Sequence, residues 1–274
     1  MNTAQARINR LFYTSGKCLM VACDHGMFND PAFTEGLVDI KSAVDTVVKT
    51  GADAIQLSPG HARYLQEVPG RTKPALVLRV DVLNFFGPRP DNVLFSAMIG
   101  DPVEVALRLD AACILVSLAI FPGQPEMHRM CVDNVNRLKS ACVRYGMPLM
   151  VEPMVVKRDG NACVLDGEFE KNLTLVRQAA ELGADIIKAD PTAEVQRYAE
   201  VVRAAGVPVL VRGGGKAAEE EVLKRTASLI RQNVAGIVYG RNIIRHGSPE
   251  KMTLALLSVV HAGATLEQAI KMLR

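Results

Sequence analysis

The sequence predicts an α/β protein, a single (β/α)8 barrel over residues 1–274, and three observations carry that prediction. Eight short apolar runs recur along the chain, and stretches with helical periodicity lie between most of them. The length, 274 residues, suits one closed barrel of eight such units better than two small domains. Strands buried on both faces show as near-continuous apolar runs, and their alternation with amphipathic helices implies a parallel sheet covered by helices.

Taken in order, the runs are residues 18–23, 54–57, 76–80, 113–118, 149–151, 185–187, 207–211 and 236–239. The spacing predicts helices over 40–50, 103–109, 126–145, 168–182, 194–205 and 217–232. Punctuation agrees. Gly51-Ala52-Asp53 and Gly183-Ala184-Asp185 each close a helix just before a strand, as do Gly146-Met147-Pro148 and Gly206-Val207-Pro208. Glycine suits the left-handed position after a helix, and proline is tolerated at the first residue of a strand. Residues 84–96 and 156–167 read as longer loops after strands, which places them on the active-site face. The apolar segment 252–262 is expected to pack on the barrel or on a neighbouring copy.

Composition narrows the classes. Apolar residues make up 49% and charged residues 22%, with a net charge of +3 and both signs mixed. With no Trp, few Phe and Tyr and no basic block, a nucleic-acid partner is not expected. The longest apolar run, 111–121, is interrupted by Ser117 and is too short to span a bilayer. The six cysteines lie singly, without a C-x-x-C pair, and no apolar leader precedes residue 17, which together suggest a reducing cytoplasm.

In such barrels the chemistry sits where strands end. Gly213-Gly214-Gly215, before a helix expected near Ala217, and Gly240-Arg241 after the next strand form the pattern of a phosphate site. Lys188 closes the sixth strand. A lysine whose stem lies among barrel side chains is desolvated, which lowers its pKa and frees the amine for attack on a carbonyl. Snorkelling to solvent, or pairing with Asp190, is the structural alternative. Asp24 and His25 offer a carboxylate and an imidazole for proton transfer, and Glu152 ends the fifth strand as a further acid or base. Asp24 would otherwise cap a loop or pair with Lys188, and Glu152 would pair with Arg79. Arg79 and Asp81 share one face of the third strand, where they bind substrate or each other. The histidine spacing fits no metal motif, so no metal or other cofactor is expected; Asp24, Asp81 and Glu152 would together suit Mg²⁺.

The stretches Val21-Ala22-Cys23-Asp24-His25-Gly26, Asp185-Ile186-Ile187-Lys188, Val211-Arg212-Gly213-Gly214 and Tyr239-Gly240-Arg241-Asn242-Ile243 resemble the DeoC and archaeal-type class I fructose-bisphosphate aldolase family. The likeness extends to relatives that process phosphorylated autoinducer-2 and make aminodeoxyheptulosonate, and it covers about residues 16–269. It implies a class I aldolase acting on a phosphorylated sugar or keto compound. Lys188 would form the Schiff base, Asp24 would assist proton transfer, and Gly213, Gly214, Gly240 and Arg241 would hold the phosphate. It also implies a homo-oligomer, with a five-fold or decameric assembly as the form to test. Two positions depart from the pattern. Glu152-Pro153-Met154-Val155 stands where the fructose-bisphosphate aldolases carry Tyr-Pro-Arg-Gly, and Arg212 stands where a serine often precedes the glycines. Arg212 would add a phosphate contact or reject the usual substrate. Both changes call fructose 1,6-bisphosphate itself into question. A coenzyme A-dependent thiolase, a transaldolase-type synthase and a non-catalytic sugar-phosphate-binding barrel are the alternatives.

Overall fold

The computed structural model describes residues 4–28, 35–70, 72–86, 93–160 and 162–274. Eight strands run parallel: β1 (Cys18–Ala22), β2 (Ala54–Leu57), β3 (Ala75–Arg79), β6 (Cys113–Ile120), β7 (Leu149–Asp159), β9 (Ile186–Ala189), β10 (Val209–Arg212) and β11 (Gly236–Tyr239). They are ordered β6-β3-β2-β1-β11-β10-β9-β7, and pairing of β6 with β7 closes the ring. The (β/α)8 barrel expected from the sequence is therefore the fold observed.

Two hairpins extend the C-terminal rim. β4 (Asp81–Leu83) pairs with β5 (Ser96–Met98), and β8 (Ala162–Leu165) folds back antiparallel on the end of β7. The expected loop 156–167 is thus largely β-structure. The expected loop 84–96 lies between β4 and β5, and its residues 87–92 fall outside the described residues.

The helices are α1 (Gln5–Ile8), α2 (Ile40–Thr50), α3 (Pro59–Gln66), α4 (Pro102–Arg108), α5 (Pro125–Tyr145), α6 (Phe169–Glu181), α7 (Tyr198–Ala205), α8 (Glu219–Arg231), α9 (Arg241–Ile244), α10 (Pro249–Ala262) and α11 (Leu266–Lys271). The segment expected to pack on the barrel is α10, which lies against α2 and α8. α1, α3, α9 and α11 are additions to the sequence reading. Among the described residues, no helix is long and apolar enough to cross a membrane.

The repeated Gly-Ala-Asp has a physical basis. Gly51 ends α2 in the left-handed region at φ 75°, and Gly183 follows α6 at φ 92°. Asp53 then accepts the N–H of Leu19 at 2.7 Å, and Asp185 accepts that of Leu149 at 2.9 Å. Each aspartate ties the start of its strand to the start of a neighbouring one.

Side-chain alternation sets the layers of the core. Leu19, Val21, Ile55, Leu76 and Leu78 point outward into the cluster that joins sheet to helices. Ala22, Ala54, Val77, Leu115, Met150, Ile186, Leu210 and Val238, one from each barrel strand, belong to a separate interior cluster. Leu11, after α1, is fully buried in that cluster and closes the N-terminal end of the barrel. Two residues further along each strand, the inward positions are Asp24, Gln56, Arg79, Ser117, Glu152, Lys188, Arg212 and Gly240. An apolar plug therefore supports a polar layer, stepped from strand to strand by the register, with polar residues on seven strands and glycine on the eighth.

Candidate active site

Arg79 lies at the centre of this layer and is fully buried. Its Nε donates to Asp24 Oδ2 at 2.5 Å, and its Nη1 donates to Asp81 Oδ1 at 3.0 Å and Ser117 Oγ at 2.9 Å. Its Nη2 bonds Glu152 Oε2. Asp81 Oδ2 is anchored by the N–H of Ser117 at 2.9 Å. The three carboxylates weighed above as a Mg²⁺ site thus enclose a guanidinium, a buried cation that satisfies them directly.

Lys188 stands beside this cage and is only 5% exposed. Its Nζ lies 2.9 Å from Glu152 Oε1 and 3.1 Å from Gln56 Oε1. Of the two structural alternatives, neither snorkelling nor a pair with Asp190 is what the geometry shows. Asp190 instead bonds Arg212 Nε, and Arg212 Nη1 reaches Glu152 Oε1 at 3.4 Å. Glu152 is the hub, touched by Arg79, Arg212 and Lys188.

The electrostatics follow from burial and neighbours. Burial pushes the Lys188 amine below the usual lysine value, while Glu152 and Asp24 pull it back part of the way. Burial alone would raise the Glu152 carboxyl, but Lys188, Arg79 and Arg212 outweigh it and hold the group well below the usual range. Asp24 is likewise lowered, burial being outweighed by Arg79 and Lys188. Asp81 goes the other way, because burial outweighs its bonds to Arg79 and Ser117. Burial takes the His25 imidazole down to about 4, against the pull of Asp24 and with repulsion from Lys188 and Arg241. His25 is therefore neutral near pH 7. A kcat/KM profile is expected to show no inflection between about pH 5.5 and 7.5, where an ordinary histidine titrates. An inflection there that disappears in His25→Asn would contradict this assignment.

Above the layer opens a pocket lined by Asp24, His25, Glu152, Lys188 and Arg212 on one part of its wall, and by Gly213, Gly214, Gly240 and Arg241 on another. Phe28, Phe86 and Leu165 complete the wall with apolar surface. Gly214 adopts φ 66°. The N–H of Gly213 bonds Val238 O at 3.1 Å and so extends the barrel ladder instead of facing a ligand. Asn242, 5% exposed, braces the loop: its amide donates to Gly213 O and Gly215 O and accepts from the N–H of Ala217 at 3.0 Å. Arg241 Nη2 donates to Gly214 O at 3.0 Å.

The helix expected near Ala217 begins at Glu219, and Glu219, Glu220 and Glu221 fill its first turn. Those acids already complement its dipole. The helix start that lines the pocket is that of α9, directly after Gly240. A Cβ on Gly240 would stand 2.5 Å from His25 Cε1 and 2.9 Å from Ala22 O. Backbone cannot yield there as a side chain would. Gly240→Ala is expected to lower kcat/KM for a phosphorylated substrate by about 10²-fold, the scale of an ångström-sized misplacement, and to lower the melting temperature by roughly 3–10 °C, since overpacking costs about 1–3 kcal/mol. Unchanged kinetics would show that the close approach has no functional part.

The structure thus brings Lys188, Asp24, Glu152, His25, Arg212, Gly213, Gly214, Gly240 and Arg241 to one pocket. Arg79 and Asp81, weighed as substrate contacts, are fully buried beneath it and off its lining. Gly215 is also off the lining and serves as an anchor for Asn242. Sequence reasoning gave no role to Ser117, Phe28, Phe86 or Leu165. Ser117 had a signal, since it is the one polar break in the run 111–121 and falls in the inward phase. The apolar lining residues had none.

Comparison with known proteins places this geometry in a setting. The model of the family described as DeoC/LacD family aldolase matches residues 18–246. An uncharacterised aldolase of Saccharolobus solfataricus is 29% identical over 275 residues, spanning 99% of each chain. The 3-hydroxy-5-phosphonooxypentane-2,4-dione thiolase of Escherichia coli K12 is 31% identical over 270 residues, 98% of this chain and 86% of the relative. The crystal structure of an archaeal fructose 1,6-bisphosphate aldolase superposes with a TM-score of 0.75 at 27% identity, covering 95% of this chain and all of the other. A structure from a study of the Schiff base forming fructose-1,6-bisphosphate aldolase gives 0.75 at 27% identity, covering 94% of this chain and 99% of the other.

Proposed function

The chain belongs to the DeoC/LacD aldolase family, and from that premise we propose that it is a class I aldolase that makes or breaks a carbon–carbon bond in a phosphorylated sugar or keto compound through a Schiff base on Lys188. The observation that carries the reading is the placement of Lys188 Nζ, nearly enclosed, 2.9 Å from the Glu152 carboxylate, in the same pocket as Gly213, Gly214, Gly240 and Arg241.

Attack needs a neutral amine. Burial lowers the cost of removing the proton, and the Glu152 carboxylate, 2.9 Å away, relays it onward instead of keeping it, because Arg79 and Arg212 hold its own pKa low. The amine adds to the substrate ketone. Glu152 and Asp24, with neutral His25 beside them, then move protons as the carbinolamine loses water. As the β-hydroxyl gives its proton to a carboxylate of the site, the carbon–carbon bond breaks, an aldehyde leaves, and the bonding pair passes to the protonated imine, which becomes an enamine; protonation and hydrolysis of the enamine then free Lys188. Arg79 keeps both carboxylates charged and fixed without touching substrate. Phosphate held at the two glycine-containing loops supplies binding energy away from the reacting atoms and keeps the carbonyl near Lys188. Borohydride treatment with candidate ketoses, followed by peptide mass mapping, is expected to place a reduced adduct on Lys188. Turnover without such an adduct would rule the mechanism out.

The thiolase relative favours a second reading of the same site, in which coenzyme A accepts an acyl fragment. Product analysis with and without coenzyme A separates the two. Products that change only in its presence select the thiolase, and identical products select the aldolase.

A further inference from the structure

We infer that Arg212 is a specificity-determining residue: it grips a second keto or carboxylate oxygen, one or two carbons from the carbonyl that Lys188 attacks, rather than the substrate phosphate. The inference rests on the Schiff-base reading and adds a substrate class to it, the dicarbonyl and 2-keto-acid compounds as opposed to simple hydroxyketoses.

Leu210 of β10 is in register with Lys188 of β9, so Arg212 stands one inward step nearer the mouth on the adjacent strand. The same oxygen, Glu152 Oε1, lies 2.9 Å from Lys188 Nζ and 3.4 Å from Arg212 Nη1. The guanidinium therefore sits beside the amine, separated from it by one carboxylate. Asp190 holds Nε on the other flank, and the side chain is 13% exposed. Held at two points, the planar group faces Glu152 and Asp190, whereas Arg241 is the arginine that reaches Gly214 O. Its remaining nitrogen, Nη2, is buried and makes no hydrogen bond among the described residues. An immobilised guanidinium whose Nε and Nη1 are taken, and whose Nη2 lies between them with its N–H groups unused, suits a planar oxygen acceptor. Arg212 also lines the pocket, so that acceptor can come from a ligand. Burial lowers the guanidinium to about 10, which leaves it charged at neutral pH.

The test compares occupancy of Lys188 by pairs of small ketones. Pyruvate against acetone, both trapped with borohydride, reports on a carboxylate. Pentane-2,4-dione against acetone, with the dione adduct read by intact mass without reductant, reports on a second keto oxygen. Dihydroxyacetone phosphate against dihydroxyacetone reports on phosphate. Arg212→Gln is expected to lower one or both of the first two ratios about tenfold or more, the scale of one charge-assisted hydrogen bond. The phosphate ratio is expected to stay within about twofold. A fallen phosphate ratio with the other two unchanged would overturn the inference, as would three unchanged ratios. Arg212→Lys keeps a cation between Asp190 and Glu152 but lacks the fork, and serves if the glutamine variant melts early. Should no ketone label Lys188, the Schiff-base reading fails by itself. Calorimetric binding of pyruvate and the dione to Lys188→Met, with and without Arg212→Gln, then still decides the role of Arg212: equal affinities would refute it.

Discussion

Replacing Lys188 with Met is expected to lower turnover of any accepted substrate by on the order of 10⁴-fold or more, because the residue supplies the bond-forming atom and nothing else at the site can. The substitution keeps the aliphatic stem and removes the amine. It leaves Glu152 with Arg79 and Arg212 as partners, so the layer stays charge-compensated and the fold is expected to hold. Binding of a phosphorylated substrate is expected to persist, since Gly213, Gly214, Gly240 and Arg241 are untouched. Steady-state kinetics with a parallel binding measurement checks both halves. A Lys188→Met protein that matches the wild type in every assay would turn the reading toward a barrel that binds sugar phosphates without catalysis. In the wild type, the rate of adduct formation is expected to level off below about pH 10, where an ordinary lysine titrates, because burial lowers this amine.

Arg79→Met is expected to cost about 3–5 kcal/mol of stability, the range for removing one partner of a buried ion pair. That corresponds to a fall in melting temperature of roughly 10 °C for a chain of this size. Asp24, Asp81 and Glu152 would lose their common cation in a layer with almost no solvent. The sign of the pH dependence follows from linkage. In the wild type, Asp24 and Glu152 titrate below their unfolded values, so their contribution is present above about pH 4 and is lost as pH falls through the folded values. Without Arg79 the remaining carboxylates titrate higher and can be relieved by protonation. The deficit relative to wild type should therefore shrink between about pH 8 and pH 5. Denaturant melts at both ends of that range measure it. Equal stability at pH 8 would show that Arg79 is not the keystone of the layer.

Much of the fold was legible because the barrel strands are buried on both faces, and continuous apolar runs separated by amphipathic helices mark parallel sheet directly. The same burial hid the division between the two faces. Within 149–151 or 186–187 nothing distinguishes an inward from an outward residue until a polar side chain, Glu152 or Lys188, appears in phase. In the sequence the fifth strand reads as ending at Glu152, yet β7 continues to Asp159 because it pairs with β6 as far as Val155 and then with β8. The residue types of the site were visible at strand ends, but their partners were not. Arg79 meets Asp24 and Glu152 across 55 and 73 positions of sequence, and only closure of the ring brings them together. The tie between Arg212 and Asp190 likewise depends on the register of adjacent strands. Ala217 read as a helix start because periodicity begins there, whereas the chain is held by Asn242 until Glu219. Phe28, Phe86 and Leu165 come from outside the eight barrel strands, where no period guides the reading.

The most direct test is a crystal of the wild-type protein soaked with dihydroxyacetone phosphate and reduced with borohydride. Continuous density from Lys188 Nζ to the carbonyl carbon, with the phosphoryl group against Gly214, Gly240 and Arg241, is the expected result. Unmodified Lys188 in a crystal whose enzyme turns over a ketose phosphate, or an adduct whose phosphate lies away from both loops, would contradict it.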